Sequence, residues 1–198
     1  DFIDLASVDD IEFAGWDIFE DNCYEAACKA GVLKRELLDQ VKDRLEAIRP
    51  MPAVFDKRYV KKLEGSHVKQ GASKMELAEA LRQDMADFRK QSGCERLVMI
   101  WCGSTEVFLE PRPVHQTIEA FELGLLENDP DIAPSMVYAY AALKTGTPYA
   151  NGAPNLSCDV PALVATAALL LVALLTGCGT QEAALPLDEA TREGRRRA

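Results

Sequence analysis

The feature that most constrains the fold is the alternation of short apolar runs with longer helical patterns. Residues 11–18 and residues 96–101 have the content of buried strands. Helical patterns occupy most of the remaining sequence up to residue 144: 22–30, 34–49, 73–91, 114–127 and 135–144. Strands separated by helices longer than about ten residues are typical of parallel sheets. The pattern therefore predicts an α/β fold with a parallel sheet covered by helices on both faces.

The second strand ends in a turn whose chemistry suits a ligand. The stretch "VMIWCGSTE" runs from apolar residues directly into Cys102, Gly103, Ser104, Thr105 and Glu106. Ligands of open parallel sheets bind beyond the carboxyl ends of the strands, where glycine permits close approach and hydroxyl and N–H groups can bind ribose or phosphate. Many strands end in Gly-Ser turns that only reverse the chain. From these residues alone, both interpretations stay open.

Charge and cysteine content restrict the partners. The formal net charge is −10, with the acids spread along the predicted helices, which argues against nucleic acid or an anionic membrane as a partner. Six cysteines lie scattered without C-x-x-C spacing, and only two histidines, His67 and His115, accompany them. We therefore expect no metal site and unpaired thiols in a reducing cytoplasm. Neither histidine receives a catalytic role.

Four separated motifs together carry a resemblance to a known family. They are "FAGWDI" (13–18), "RPMPAVFD" (49–56), "VMIWCGSTE" (98–106) and "APSMVYAYAALKTGTPYANGAPN" (133–155). They resemble the myo-inositol phosphate synthases over roughly residues 1–161. The resemblance implies a Rossmann-like NAD domain of an isomerase that converts glucose 6-phosphate to inositol 3-phosphate (1L-myo-inositol 1-phosphate) for inositol and phospholipid biosynthesis. It also implies a cytoplasmic homo-oligomer, a tetramer when intact.

The same resemblance implies a set of cofactor-binding residues. Asp17 resembles the acid near the adenosine ribose; otherwise it is a favourable charge near a helix N-terminus. Cys102, Gly103, Ser104 and Thr105 match the family's cofactor-contacting turn, in which only Thr105 is identical. In the loop that resembles the family's "NGSPQN", two positions match, and in a third loop two weaker matches could equally be solvated residues. These four are Gly152, Ala153, Ser66 and Lys74. No catalytic residue is assigned.

Aromatic residues near the last motif have a structural interpretation. Tyr138 and Tyr140 are expected to pack against the sheet rather than to stack on a nicotinamide.

We expect a partial NAD-binding domain over residues 1–161 and an atypical tail over 162–198. The tail should form an apolar helix, shorter than the about 20 residues that cross a bilayer, and then a disordered basic end. The family's glycine-rich phosphate loop would precede residue 1, and its catalytic lysines would follow the domain. The chain is therefore predicted to be an incomplete enzyme that is inactive alone. The alternative is an inert interaction module or a truncated or frameshifted remnant.

Overall fold

A computed structural model describes residues 6–175 of the chain. Its helices are α1 (Cys23–Ala30), α2 (Arg35–Asp39), α3 (Lys42–Ala47), α4 (Lys74–Ser92), α5 (Ile118–Glu127), α6 (Pro134–Lys144) and α7 (Pro161–Leu175). Short 3₁₀ turns cover Val8–Asp10 and Pro113–His115. The strands are β1 (Trp16–Asp17), β2 (Met51–Pro52), β3 (Met99–Trp101) and β4 (Tyr149–Asn151). The alternation of strands and helices confirms the predicted α/β architecture.

The strands form two parallel pairs within this range. Trp16 pairs with Met51 in the β1–β2 pair, and Met99 pairs with Tyr149 in the β3–β4 pair. Each pair is joined by a connection that contains helices, as parallel strands require. The strands are shorter than the apolar runs at 11–18 and 96–101 that predicted them, because only the ends of those runs find a hydrogen-bonded neighbour.

The core lies where α4, α5 and α6 pack together. Leu81 of α4, Phe121 of α5 and Met136 of α6 are all at most 1% exposed. Helix α6 is buried on every side from Pro134 to Leu143. Its alanines let neighbouring elements approach closely. Its residues are mostly apolar on every side, which is typical of a helix inside a fold rather than at its surface. The most enclosed element of the chain therefore directly precedes β4.

Capping residues fix where the helices begin. Asn22 caps α1 in a complete capping box with Glu25. Ser73 caps α4 by accepting the N–H of Glu76, while the Glu76 carboxylate accepts the N–H of Ala72 at 2.7 Å. Gly93 ends α4 at a φ of 72°, a left-handed conformation that favours glycine. The long helix predicted over 73–91 is confirmed.

The single helix predicted over 34–49 is wrong, because the chain breaks between α2 and α3. Arg35 and Lys42 both lie over the ring of Tyr24, with their charged groups 4.9 Å and 5.4 Å from its centre. The break lies at Val41, whose φ of −121° and ψ of 19° are not helical.

Tyr138 and Tyr140 occupy different environments. The Tyr138 ring lies 5.4 Å from the ring of Trp16 in β1 and 5.3 Å from that of Trp101 in β3, so its predicted packing against the strands is confirmed. Tyr140 points elsewhere: its ring is 5.9 Å from Phe121, and its hydroxyl donates to Glu122 at 2.9 Å. The prediction for Tyr140 is wrong, because a residue two positions along a helix faces a different side.

The apolar helix predicted after residue 161 is present as α7. Val160, Ala162 and Leu163 are fully buried, so its first turn belongs to the core. None of the helices described, in residues 6–175, is long and apolar enough to cross a membrane. The predicted basic end, Arg192 to Arg197, lies outside the described residues. The domain boundary at residue 161 stays a prediction.

Tyr138 supplies a direct test of what joins the two strand pairs. Its hydroxyl accepts the buried N–H of Val54 at 2.8 Å. Replacing Tyr138 by Phe leaves that N–H without a partner, and we expect the free energy of unfolding to fall by about 1–3 kcal/mol. Tyr140→Phe is the matched control: Glu122 keeps its bond to Lys144 at 3.2 Å, so the loss should be smaller. Urea unfolding measures both; equal losses would contradict the prediction.

Candidate functional site

A cavity of about 510 Å³ lies between β1 and β3. Trp16 and Trp101 line its two sides, and Tyr138 and Met85 line it from the helices α6 and α4. Polar residues line it where the strands end: Asp17, Cys102, Gly103 and Ser104. The cavity therefore combines an apolar depth with a polar rim at the carboxyl ends of two strands.

Asp17 is the rim residue contributed by β1. It ends that strand and is exposed, and its Oδ1 accepts the N–H of Phe19 at 3.0 Å. This short turn bends the chain away from the sheet directly after the strand. The alternative role of Asp17 as a helix N-terminal charge finds no support, since the next helix begins at Cys23 with its own cap, Asn22.

The turn after β3 contributes the opposite rim. Cys102, Gly103, Ser104 and Thr105 are all exposed, and the chain is buried again at Glu106. Gly103 sits on the Trp101 indole: a Cβ there would lie 3.0 Å from Cζ2 of that ring. A side chain at position 103 would therefore push the turn away from the strand.

The loop after β4 lies beside the same turn. The N–H of Gly152 donates to the carbonyl of Trp101 at 2.8 Å, and a Cβ at 152 would come within 3.0 Å of that oxygen. Glycine is therefore favoured at this close approach, since a larger residue would require the loop to shift. The following residue, Ala153, donates its N–H to Oδ1 of Asn151 at 2.9 Å, so the loop is shaped by its own strand end.

A buried carboxylate holds the two loops together. Glu106, 4% exposed, accepts bonds from the hydroxyl and the N–H of Ser135, the latter at 3.0 Å. It also accepts Nδ2 of Asn155 at 3.1 Å. Ser135 lies in the first turn of α6, where N–H groups have no partner within the helix. One side chain thus ties the turn after β3, the loop after β4 and the start of α6.

Burial sets the electrostatics of this carboxylate. Loss of hydration raises the pKa of Glu106, and the bonds from Ser135 act in the opposite direction. Asp56 adds to the increase in pKa, while Lys74 opposes it. Glu106 is therefore an enclosed group whose ionised form depends on Ser135 and Asn155.

Two predicted site residues lie away from the rim. Lys74 begins α4, and its Nζ donates to the carbonyls of Asp129 and Ile132, each at 2.5 Å, just beyond the end of α5. It is not among the residues that line the cavity, and burial lowers its pKa to about 8. Ser66 is exposed in a segment beside β1, where the N–H of His67 donates to the carbonyl of Ile18 at 3.0 Å.

The predicted residues therefore divide into two groups. Asp17 and the turn from Cys102 to Ser104 share one rim, with Thr105 next in the chain. Gly152 bonds to Trp101 directly before that turn, and Ala153 follows it. Ser66 precedes His67, which bonds to Ile18 just after β1, and Lys74 bonds to the chain after α5.

The residues that hold the rim in place are not among the predicted site residues. Glu106 and Asn155 carry a recognisable signal in the sequence, because each is the last residue of a motif, 98–106 and 133–155 respectively. Ser135 gave none, since a serine after proline at a helix start is an ordinary feature. Among residues 6–175, no cluster of three His, Cys, Asp or Glu side chains could hold a metal ion.

Comparison with known proteins identifies the family. A family model of an NAD-binding domain, described as myo-inositol-1-phosphate synthase, matches residues 1–178. The chain belongs to the myo-inositol-1-phosphate synthase family. This confirms the resemblance inferred from the four motifs.

Individual relatives agree with this assignment. Inositol-3-phosphate synthase 1 of Bacteroides thetaiotaomicron is 48% identical over 164 residues, which are 82% of this chain and 38% of the relative. The synthase of Trypanosoma brucei brucei is 34% identical over 150 residues, covering 74% of this chain and 28% of the relative. The crystal structure of the Caenorhabditis elegans synthase matches with a TM-score of 0.74 at 27% identity, over 80% of this chain and 32% of that one. The Rossmann-like fold is thereby confirmed, and the chain spans about a third of these relatives.

The rim of this synthase-family domain fits a dinucleotide, whereas the depth of the cavity does not. A carboxylate, exposed hydroxyls and backbone N–H groups at strand ends are the groups that bind ribose and phosphate. Much of the remaining lining is apolar or aromatic, including Trp16, Met85, Trp101 and Tyr138, and offers few partners to charged phosphates.

Glu106 supplies a test of how the rim is held. Glu106→Ala leaves the N–H of Ser135 without its acceptor and removes one of the two acceptors of the Asn155 amide, which keeps the Ser135 hydroxyl. We expect the free energy of unfolding to fall by about 1–3 kcal/mol. Glu106→Gln keeps the size and one acceptor oxygen and should lose less. Urea unfolding at pH 7 measures both, and an Ala variant as stable as the parent would contradict the assigned role.

The pKa of Glu106 adds a pH signature. Because that pKa is raised above its ordinary value near 4.5, the native chain binds the proton more tightly than the unfolded chain does. Stability from this group therefore increases as pH falls from neutral toward the ordinary glutamate value near 4.5. Relative to Glu106→Gln, the parent should gain stability over that interval. A difference between the two that does not change with pH would be the contrary result.

Proposed function

We propose that this chain forms part of the NAD site of an enzyme that isomerises glucose 6-phosphate to inositol 3-phosphate. The observation that carries the proposal is the shared rim: Asp17 and the turn from Cys102 to Ser104 line one cavity at the ends of β1 and β3. Membership of the family and the names of the relatives support the reaction. The chain spans about a third of those relatives, so the reaction is proposed for the whole enzyme.

Each rim element has a distinct proposed role. The Asp17 carboxylate accepts hydrogen bonds from ribose hydroxyls. The turn from Cys102 to Thr105 offers backbone N–H groups, together with the Ser104 and Thr105 hydroxyls, to the phosphates. Gly152 keeps the neighbouring loop close to Trp101, which leaves the rim open to the cofactor. Bound NAD supplies reversible hydride transfer, and this chain positions it through groups that carry no catalytic role themselves.

Ser66, Lys74 and Ala153 have weaker proposed roles as cofactor contacts. Ser66 could reach a ligand from the segment beside β1. Ala153 could contribute its backbone only. Lys74 would first have to leave the carbonyls of Asp129 and Ile132, which disfavours a direct contact.

The assembly and compartment follow from the same resemblance. We propose a cytoplasmic homo-oligomer, a tetramer when intact, acting in inositol and phospholipid biosynthesis. The spread of acidic residues and the net charge of −10 support partners other than nucleic acid or an anionic membrane.

Titration with NAD tests the proposed site. We expect weak binding, above micromolar Kd, because in this fold a glycine-rich loop normally supplies the pyrophosphate contacts and no such loop occurs in residues 1–198. Amide signals of Asp17, Cys102 to Ser104 and Gly152 should shift in NMR spectra. Asp17→Asn removes a charged acceptor, so we expect that about tenfold more NAD is needed to produce the same shifts. Asp21→Asn, on a partly buried acid paired with the exposed Lys29, is the control. Shifts confined to other residues would overturn the site.

Activity of the isolated chain is a separate measurement. With glucose 6-phosphate and NAD supplied, we expect no inositol phosphate to form, since the chain carries no assigned catalytic residue. Formation of product, detected by chromatography, would show that the catalytic groups lie within these 198 residues.

A further inference from the structure

A carboxylate on helix α4 holds the indole of Trp16 in β1. The Nε1 group of Trp16 donates to Oδ2 of Asp84 at 2.6 Å. The ring of Trp16 also packs edge-on against Tyr138 of α6, with the two ring centres 5.4 Å apart. Two helices therefore fix this one side chain, α4 through a hydrogen bond to a charged group and α6 through ring packing.

The same carboxylate forms an ion pair with a lysine. The Nζ group of Lys69 lies 2.7 Å from Oδ2 of Asp84, and the two side chains are 11% and 20% exposed, so water competes little for the pair. Lys69 is fixed in turn by its backbone, since its N–H donates to the carbonyl of Ala53, directly after β2, at 2.8 Å. Asp84 thus joins β1, α4 and the segment beside the end of β2.

Strand β1 has a short backbone pairing. It pairs with β2 over two residues, and Pro52, which lies opposite Asp17, has no N–H to donate. The N–H of the next residue, Ala53, donates to the carbonyl of His67 at 3.0 Å. A strand with so few backbone bonds depends on its side chains for its orientation.

The orientation of Trp16 sets that of Asp17. Successive side chains of a strand point to opposite faces, so an indole held against α4 and α6 leaves the Asp17 carboxylate on the other face. Asp17 is exposed and lies at the rim of the cavity. Rotation of β1 about its own axis would move both side chains together. The bond from Trp16 to Asp84 opposes that rotation.

We propose that Asp84 is a positioning residue of the cofactor site: through Trp16 it fixes the direction in which Asp17 presents its carboxylate to the ribose of a dinucleotide. Lys69 supports Asp84 as its ion-pair partner. This inference rests on the proposed function, because it takes Asp17 as the ribose contact. Asp84 is not among the residues that line the cavity, so its effect on a ligand is indirect.

Paired substitutions separate the bond to Trp16 from the ion pair. Removing Asp84 alone would leave Lys69 as a partly buried charge without its partner, which destabilises a fold for a different reason. Asp84→Leu/Lys69→Met, the acceptor-free variant, removes both charges and the acceptor of Trp16. Asp84→Asn/Lys69→Met, the rescue variant, also removes both charges but keeps an acceptor oxygen on a side chain of the same length.

NMR spectra of the full chain without ligand provide the first measurement. In the acceptor-free variant we expect the amide signals of Asp17 and Phe19 to shift. The Phe19 amide, which donates to Oδ1 of Asp17 at 3.0 Å, should exchange with solvent about tenfold faster than in the parent. In the rescue variant that exchange should stay within about threefold of the parent. Unchanged signals and exchange in the acceptor-free variant would overturn the proposal.

A second network of the same kind supplies the matched control. Between α5 and α6, Glu122 accepts the Tyr140 hydroxyl at 2.9 Å and the Lys144 ammonium at 3.2 Å. Glu122→Leu/Lys144→Met likewise removes an acceptor and a partly buried ion pair, and it should leave both amide signals of the first measurement unchanged. Equal changes in this control and in the acceptor-free variant would mean a general loosening of the fold, which contradicts the positioning role.

Trp16→Phe covers the case in which the acceptor-free variant does not fold. This substitution keeps the ion pair of Asp84 with Lys69 and removes only the donor. The Phe19 amide should again exchange about tenfold faster, and exchange as slow as in the parent would count against the role of Asp84.

Titration with NAD is the second measurement, and it separates this proposal from the proposed function. The acceptor-free variant should need about tenfold more NAD than the parent for the same shift of the Asp17 amide, because a displaced carboxylate meets the ribose poorly. Equal NAD affinity in the parent and this variant would overturn the positioning role. Absence of any NAD-dependent shift in the parent would refute the cofactor site instead, and the measurement without ligand would still decide whether Asp84 positions Asp17.

Discussion

The two halves of the structure depend on the position of Tyr138. Its ring touches Trp16 and Trp101, which belong to different strand pairs, and its hydroxyl accepts the N–H of Val54 beyond β2. Tyr138 itself is held in α6, the helix that is buried all round. A side chain on the central helix thus fixes the separation of β1 and β3. The rim that we propose for NAD follows from that separation.

Glu106 complements this arrangement at the ends of the strands. Tyr138 sets the distance between the strand pairs, whereas Glu106 sets the relation of the turn after β3 to the loop after β4. Both side chains are connected to α6: Glu106 bonds to Ser135 in its first turn, and Tyr138 belongs to its middle. Alterations in α6 would therefore be transmitted to the rim by two independent contacts, even though the helix itself contributes no predicted cofactor residue.

Much of this architecture could be predicted from local patterns, and the exceptions have a physical cause. Helix α4 was predictable because Ser73 and Gly93 mark its ends and its apolar face is regular. The break between α2 and α3 was not, because the apolar stripe continues through residues 34–49 and no glycine or proline marks the non-helical Val41. The turn after β3 was recognisable from its composition. The position of Lys74 was not, since its partners follow α5 some fifty residues later.

The parallel pairing also has a consequence for how the chain folds. Trp16 reaches Met51 and Met99 reaches Tyr149 only after intervening helices have been accommodated, so no strand bond can form by local contact. Closing such connections costs entropy before any ladder bond is gained, which makes late assembly of the sheet the expected order. Helices nucleate locally and much faster. During that interval the apolar strand residues are accessible to other chains, and this period sets the window for misassembly during synthesis or refolding.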